Sequence, residues 1–314
     1  MITISRAPPY LTVQDMGRKH SRSSGVPRGG AMDVFALQAL NAIVGNALDS
    51  AALEWALGGG TVRFEADCAF AIGGARALAT MAGRPIPSFT TCRARAGDEL
   101  TVGQLISGRF LYIAFGGGID VPQILGSRST YLPGRFGGYN GRLLAHNDSL
   151  PLGARPHSTP AEGFACPPEL LPRYYSAAVR ITRGPHADLF DEVPWHTLTE
   201  TEFAVSTASD RTGYKLKGGV LSDSPGSLPS DASCQGAIQI PAEGTPIVLM
   251  ADAPTVGGYP MIAVVTAADL PILAQRSPGE IVRFQLVTIE QSQRGLKRCA
   301  SDLHTIRASG AASA

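Results

Sequence analysis

A carboxylate, a phenol and two adjacent glycines follow a pair of short apolar runs in the second half of the chain. The runs are residues 237–240 and 246–250, and the polar residues around them are Gln239, Asp252, Gly257, Gly258 and Tyr259. Apolar strands hold a loop rigidly, and glycines let a substrate or another backbone approach closely. A purely structural turn would need the glycines but not a carboxylate at the end of a strand. The stretch from Ser222 to Leu270 is therefore the first candidate for a site.

The chemistry of Asp252 has three interpretations that the sequence leaves open. The carboxylate is a general base, an acceptor for an amide N–H, or a cap of its own turn. If it acts on substrate, Asp252→Ala is expected to abolish turnover and to leave the melting temperature within a few degrees.

Two clusters in the first half combine charges with glycines. In the first, residues 13–18 and 25–33 supply Asp15, Arg18 and Asp33. Asp15 and Arg18 are either ligand-binding groups or a loop-fixing ion pair, and Asp33 is either a ligand-binding group or a charge at a helix start. In the second, residues 116–118 are three glycines whose N–H groups are suited to an anion.

Hydroxyls and a cation come soon after those glycines. Ser127, Arg128 and Tyr131 are candidates for binding a carboxylate or phosphate, and the alternative is a turn with capping hydroxyls. In the second half, Asp210 and Arg211 are adjacent in a predicted turn. Such a pair either locks its own loop or presents one charge to a ligand while the other orients it.

The elements that must position these residues are mainly short strands. Glycine and proline recur every few residues, and apolar runs between them predict strands at 100–102, 110–115, 179–182, 203–207, 247–250, 262–265 and 281–287. Helical spacing predicts a helix over 32–44 and a short one over 267–274. Residues 64–72 are similar to 198–205, and 95–100 to 277–281, which predicts that the halves are repeats.

Composition excludes several classes of protein. The 314 residues carry a formal net charge of +1, so no overall field attracts nucleic acid or an acidic membrane. The 5 cysteines form no C-x-x-C pair, and the 6 histidines show no metal-ligand spacing, so we expect no bound metal. No signal peptide and no apolar run of membrane-spanning length is evident, which predicts a cytoplasmic protein.

The clusters in their order along the chain resemble one family. The matching segments are residues 13–18, 25–33, 57–59, 116–120, 125–131, 134–138, 209–216 and 236–260. They are similar to the biotin-dependent carboxyltransferase and allophanate hydrolase subunit 2 family, which includes the C-type subunit of 5-oxoprolinase. The resemblance spans about residues 3–290, nearly the whole chain.

The resemblance implies a mainly β fold with two cyclophilin-like β-barrels related by a pseudo-twofold and few short helices. We place the barrels at 1–155 and 176–298, a proline-rich linker at 156–175 and a flexible tail at 299–314. It also implies a subunit 1 type partner, which in 5-oxoprolinase is the B-type subunit, with a lactam-hydrolase subunit or a biotin carrier. ATP or carboxybiotin would be supplied in trans. Any biotin would have to arrive on another protein, since the chain has no Met-Lys-Met motif for attaching it.

Two functions from different classes follow from the resemblance. The first is a subunit of an enzyme that opens 5-oxoproline with ATP, or that carboxylates urea. Its expected catalytic residues are Asp210, Arg211, Asp252 and Tyr259. The second is a regulatory protein that sequesters a subunit 1 type partner. Many relatives have polar or basic residues where this chain has Ala253, Pro254 and Met261, which weakens the catalytic interpretation.

Overall fold

The computed structural model describes residues 1–156, 158–176, 178–221 and 225–313. His157 and Ser222, which entered the sequence-based predictions, lie outside these ranges. The chain forms two compact units. The first contains Met1–Lys19, Gly29–Pro172 and Ala300–Ala314, and the second contains His20–Arg28 and Arg173–Cys299. A short segment near the start of the chain is therefore part of the second unit, which a single boundary near residue 155 did not predict.

The first unit is built on a nine-stranded sheet that curls into a half-barrel. Its strands are β1 Ile2–Arg6, β2 Tyr10–Gln14, β3 Ala52–Ala56, β4 Gly60–Phe64, β5 Cys68–Met81, β6 Arg84–Pro85, β7 Cys92–Ala94, β8 Glu99–Phe115 and β9 Ser149–Leu150. The order is β2-β3-β8-β4-β1-β9, and β5 pairs with β6, β7 and β8. Helix α1 spans Val34–Ile43.

The core of the first unit follows from the apolar runs in its strands. The end of β8, from Phe110 to Phe115, is buried throughout, and Phe115 meets Phe64 edge to face at 5.9 Å. Trp55 of β3 is fully buried in the same cluster. Gly60 is required beside it, because an added Cβ would lie 2.7 Å from the Trp55 ring.

The second unit contains a closed seven-stranded barrel of order β10-β17-β14-β15-β12-β11-β18. The strands are β10 Ala178–Arg183, β11 Phe203–Val205, β12 Gly213–Lys217, β13 Asp231–Ala232, β14 Ala237–Gln239, β15 Ile247–Leu249, β16 Val256–Gly257, β17 Met261–Val265 and β18 Ile281–Leu286. Strands β13 and β16 form a separate ribbon. The helices of this unit are α2 Glu192–Glu200 and α3 Leu270–Ala274, and α4 Ile289–Ala312 begins in this unit and continues into the first. The predicted mainly β fold is confirmed.

One turn occurs in both units with the same hydrogen bonds. In the first unit, Gly97 N donates to Phe64 O and Phe64 N donates to Asp98 O. In the second, Gly279 N donates to Val205 O and Val205 N donates to Glu280 O. Phe64 therefore corresponds to Val205, and not to Leu198 as the sequence comparison had it. Leu198 lies in helix α2, because its segment buries a helical face and not a strand.

The expected flexible tail is corrected to a helix. Helix α4 buries Leu303, Ile306 and Gly310, whose spacing places them on one helical face. Gly310 lies against the 158–172 segment, since an added Cβ would be 3.0 Å from Pro160 and 3.3 Å from Phe164. The low-complexity composition of the tail concealed this packing because small residues also suit close contact.

The proline-rich segment differs from a free linker. Its described part up to Pro172 belongs to the first unit. Thr91 N donates to Phe164 O at 2.8 Å, Gly163 N to Thr91 O at 2.8 Å, and Cys166 N to Phe89 O at 2.9 Å. The residues between the prolines keep their backbone N–H groups, so they form hydrogen bonds with the backbone around residues 89–91. Among the described residues, no helix is long and apolar enough to cross a membrane.

Candidate functional site

Asp15 connects two loops of the first unit. It follows strand β2, and its Oδ1 accepts hydrogen bonds from Gly17 N at 2.8 Å, Ser127 Oγ at 2.6 Å and Ser129 Oγ at 2.5 Å. Its Oδ2 accepts from Arg128 N at 2.6 Å. The residue is 8% exposed. Asp15 and Ser127, which belong to two separate clusters in the sequence, are thus brought together, and these contacts hold the loops in place.

Arg18 is enclosed by the same loops. It is 1% exposed, its Nη2 donates to Ser129 O at 2.5 Å, and its guanidinium lies 4.6 Å from the centre of the Phe136 ring. Tyr131 packs on Phe136 with ring centroids 5.4 Å apart. These contacts give Arg18 and Tyr131 a role in packing the loop that carries Arg128.

A buried carboxylate that the sequence analysis missed organises the start of α1. Glu54 is fully buried in β3, where its Oε2 accepts from Tyr112 Oη at 2.7 Å and from Met32 N at 2.9 Å. Tyr112 Oη in turn accepts from Asp33 N at 2.8 Å, and Asp33 caps the helix through Ala36 N. Burial, together with the Glu54 and Asp33 carboxylates, raises the pKa of Tyr112 well above its ordinary value. A glutamate in the apolar run of residues 52–56 was the signal for this network.

A polar cavity of about 250 Å³ in the first unit includes Asp15 and Arg128. Arg128 Nη2 lies 2.5 Å from Asp120 Oδ1, and Arg128 Nε is buried without a hydrogen-bond partner among the described residues. Lys19 and Asp49 also line the cavity. A guanidinium donor that is not satisfied by protein, next to an ammonium, suits a carboxylate or phosphate of a small ligand.

The rim of this cavity contains a strained turn. Leu125 has φ +54° and Gly126 φ +74°, and Ile124 N donates to Ser127 O at 2.8 Å. Positive φ at both central residues is typical of a type I′ turn, and this turn favours Asn-Gly over Leu-Gly at those two positions. Leu125 is 55% exposed, so neither packing nor backbone preference explains a leucine here. Because Leu125 lines the cavity, its side chain is expected to contact a ligand that binds there.

We expect Leu125→Asn to raise the free energy of unfolding by about 1 kcal/mol, because asparagine tolerates the left-handed conformation better than leucine. Urea unfolding would show a higher midpoint with an unchanged slope. Leu78→Asn is the matched control, since Leu78 is also exposed but lies in strand β5. A gain of stability for both variants, or for neither, would contradict strain at Leu125.

In the second unit, Arg211 and Asp252 form a buried bidentate pair. Arg211 Nε lies 2.9 Å from Asp252 Oδ2, and Nη2 lies 2.9 Å from Oδ1. The two side chains are 8% and 6% exposed. Asp210 is exposed, and its Oδ1 accepts from Thr212 N at 2.8 Å and Gly213 N at 3.2 Å. Asp210 therefore locks the turn that carries Arg211.

Gln239 and the two glycines meet beside the β13–β16 ribbon. Gln239 on β14 is 5% exposed, and its Nε2 is buried with no hydrogen-bond partner in the described part of the chain. Gly257 lies directly against this amide, because an added Cβ would be 2.7 Å from Gln239 Nε2. Gly258 O accepts from Leu228 N at 2.7 Å. Tyr259 follows with 42% of its surface exposed, so its phenol is accessible.

Arg22, which the sequence analysis did not select, holds the turn after Asp252. Its Nη2 donates to Ser233 O, to Pro254 O at 3.2 Å and to Thr255 O at 3.1 Å. Arg22 belongs to the short N-terminal segment of the second unit. No local pattern indicates a partner more than two hundred positions away, so only the folded chain shows it.

Two of the three positions that depart from relatives are part of the core. Ala253 is 1% exposed and Met261 is 2% exposed, and both pack with Ala237 and Leu249. Pro254 lies at the surface of the turn, where its carbonyl accepts from Ser233 Oγ. Ala253 and Met261 therefore fill space in the core of this chain instead of reaching a ligand.

Among the residues that the structure describes, no three His, Cys, Asp or Glu side chains are close enough together to hold a metal ion. The candidate residues divide between the units: Asp15, Arg18, Asp33, Ser127, Arg128 and Tyr131 lie in the first, and Asp210, Arg211, Gln239, Asp252, Gly257, Gly258 and Tyr259 in the second.

Known proteins similar to this chain share its family and fold. The family described as "Carboxyltransferase domain, subdomain A and B" matches residues 24–286. The C-type subunit of 5-oxoprolinase from Escherichia coli K12 is 37% identical over 313 residues, covering 97% of this chain and 99% of that protein. The urea amidolyase of Saccharomyces cerevisiae is 32% identical and covers 94% of this chain but 17% of that protein. The solved Kluyveromyces lactis urea carboxylase superposes with a TM-score of 0.90 at 29% identity, covering 97% of this chain and 29% of that one.

Proposed function

Because the chain belongs to the family of carboxyltransferase domains with subdomains A and B, we propose that it is one subunit of a multi-subunit enzyme that activates a small amide. Two of its relatives are named as a single lettered subunit of 5-oxoprolinase, which implies that those enzymes have other subunits. The finer proposal is ATP-dependent ring opening of 5-oxoproline. It requires a subunit 1 type partner, equivalent to the B-type subunit of 5-oxoprolinase, and a lactam-hydrolase subunit.

The observation that carries this proposal is the higher sequence identity to the 5-oxoprolinase subunits. The chain is 37% and 34% identical to the C-type subunits of E. coli and Haemophilus influenzae, and 32% identical to the yeast urea amidolyase. A urea carboxylase role, with carboxybiotin delivered on a biotin carrier, is the less favoured form of the same proposal.

Residue roles are proposed for each unit separately. In the second unit, Asp252 accepts a hydrogen bond from the substrate amide through the lone pairs that Arg211 leaves unused. Arg211 orients Asp252, and Asp210 fixes the turn that carries Arg211. Gln239 and Tyr259 offer an amide and a phenol next to Gly257 and Gly258, where a substrate can approach the backbone.

In the first unit, the proposed ligand-binding group is the guanidinium of Arg128, which lines the 250 Å³ cavity. Arg128 would hold a carboxylate or phosphate, and Asp15 and Ser127 would keep its loop in place. Any ATP or carboxybiotin is proposed to arrive from a partner subunit.

A specific observation favours a second function. Ala253 and Met261 are buried in an apolar cluster at positions where the resemblance leads us to expect polar groups. If those groups handle substrate in relatives, this chain has a different substrate or binds its partner without turnover. The second candidate is therefore a regulatory protein that sequesters a subunit 1 type partner.

Co-purification with the subunit 1 type protein from the same genome, followed by an ATP-dependent assay, tests the proposal. We expect a stable complex that, with the lactam-hydrolase subunit, converts 5-oxoproline to glutamate. Urea is the alternative substrate in the same assay. A tight complex without turnover of either substrate would favour sequestration, and the absence of any complex would overturn both functions.

A further inference from the structure

The first unit has a further cavity, of about 520 Å³, that is separate from the Asp15 and Arg128 cavity. Its walls come from the start of β5, from β7 with the turn after it, and from the proline-rich segment. Three arginines from these walls line it: Arg93, Arg95 and Arg155. Its volume lies within the range of roughly 300–1,000 Å³ typical of small-molecule sites.

The walls of this cavity are held by specific contacts. Arg155 Nη2 donates to Asp67 O at 2.6 Å, and Asp67 Oδ1 accepts from Ala96 N at 3.0 Å. The proline-rich wall is fixed at both ends, since Gly153 N donates to Gly118 O at 3.0 Å and Gly163 N to Thr91 O at 2.8 Å. A cavity formed in this way keeps its shape before a ligand arrives, which lowers the entropic cost of binding.

The three glycines that the sequence proposed as an anion site contribute differently. Gly116 N donates to Ala69 O at 2.7 Å, Gly117 N to Asn46 Oδ1 at 2.8 Å, and Gly118 N to Phe115 O at 2.8 Å. None of these N–H groups is available to an anion. Gly116 nevertheless lines the arginine cavity, so the motif lies beside a cationic site whose charges come from other residues.

The charges in the cavity favour an anion. Among the described residues, the guanidinium groups of Arg93 and Arg95 make no ion pair or hydrogen bond. The two carboxylates of the lining are Asp67, already bound to a backbone N–H, and Glu162. Three guanidinium groups therefore outnumber the carboxylates, and those of Arg93 and Arg95 offer the planar donor fork that matches a phosphate or carboxylate.

We propose that this cavity binds a small oxyanion, with its phosphate or carboxylate held by Arg93, Arg95 and Arg155. The site does not depend on which enzyme complex the chain joins. Inorganic pyrophosphate and AMP are suitable phosphate probes, and citrate is the carboxylate probe.

Calorimetric titration of the whole chain with each probe tests binding. We expect saturable binding that weakens as salt is raised, and a loss of affinity of about tenfold or more in Arg93→Ala and Arg95→Ala, as for a hydrogen bond to a charged group. Arg84→Ala is the matched control, because Arg84 is exposed on β6 of the same unit and does not line the cavity. Tighter binding of AMP than of citrate would assign a phosphate, and the reverse order a carboxylate.

Cys68 reports where the probe binds, since this residue lines the cavity. Burial raises the pKa of the Cys68 thiol, so alkylation with iodoacetamide is followed at alkaline pH by mass spectrometry of its peptide. Pyrophosphate is expected to slow alkylation of Cys68 and to leave Cys234, which is exposed in the second unit, unchanged. Equal protection of both thiols, no protection of Cys68, or an Arg84→Ala effect as large as that of Arg93→Ala would overturn the proposal.

Discussion

Replacing Asp252 by alanine is expected to lower the free energy of unfolding by about 3–5 kcal/mol, the usual effect of leaving a buried charge without its partner. Arg211 would lose both hydrogen bonds to the carboxylate, at 2.9 Å each, in a place where its side chain is only 8% exposed. The corresponding fall in melting temperature is about 10 °C. The structure thus revises the expectation that this substitution would leave stability unchanged.

Thermal unfolding by calorimetry measures this effect, and two further variants serve as controls. Asp210→Ala removes an exposed carboxylate from the adjacent position and is expected to cost about 1 kcal/mol or less. Arg211→Leu combined with Asp252→Ala removes both charges and is expected to be more stable than Asp252→Ala alone. A melting temperature for Asp252→Ala within about 2–3 °C of the wild type would contradict the importance of the pair.

The lower stability of Asp252→Ala sets the temperature at which its catalysis can be tested. Loss of turnover in Asp252→Ala supports a direct role only at a temperature at which the variant is still folded. The double variant provides the comparison, because it removes the unpaired buried charge without restoring the carboxylate. Activity in the double variant would show that neither charge contacts substrate, and its absence would agree with a direct role for one of the two.

Replacing Asp15 by alanine is expected to destabilise the loops around the smaller cavity by about 2–6 kcal/mol in total. Two backbone donors, the buried Gly17 N and the part-buried Arg128 N, would lose their acceptor, and each such loss costs about 1–3 kcal/mol. The hydroxyls of Ser127 and Ser129 can rotate to other acceptors, so they add less to this cost.

Urea unfolding and hydrogen exchange measure the Asp15 effect. Faster exchange is expected at Gly17 and Arg128, because those amides lose their protection. Asp49→Ala is the matched control, since Asp49 lines the same cavity but is exposed. If Asp15 instead served mainly to bind a ligand, both variants would have similar stability and only ligand affinity would differ.

Local patterns predicted the elements whose apolar residues follow a strict period. Helix α1 was expected over 32–44 and spans Val34–Ile43, and the strands at 262–265 and 281–287 correspond to β17 and β18. The part of β5 after Ile72 was not predicted. It contains Gly73, Gly74 and several alanines, and it pairs with β8 through bulges, so its strand character depends on the neighbouring strand.

Long-range partners account for most of what the sequence did not reveal. Glu54 is directly opposite Tyr112 in the register of β3 and β8, and Arg22 bonds to a turn that begins at Pro254. Neither relationship has a local signature. Helix α4 was hidden for a related reason, because its buried face is defined by Pro160 and Phe164, far from it in sequence.

The sequence by itself determined the family, the mainly β fold and the residue types able to do chemistry. Those properties depend on composition, period and the order of short motifs, all of which are local. The tertiary structure decided what each side chain faces. Ser129, which holds Asp15, is 114 positions away, and Arg211, which holds Asp252, is 41 positions away. Whether a carboxylate supports a loop or meets a ligand is set by such contacts, because the energy of a buried charge depends on its neighbours in space.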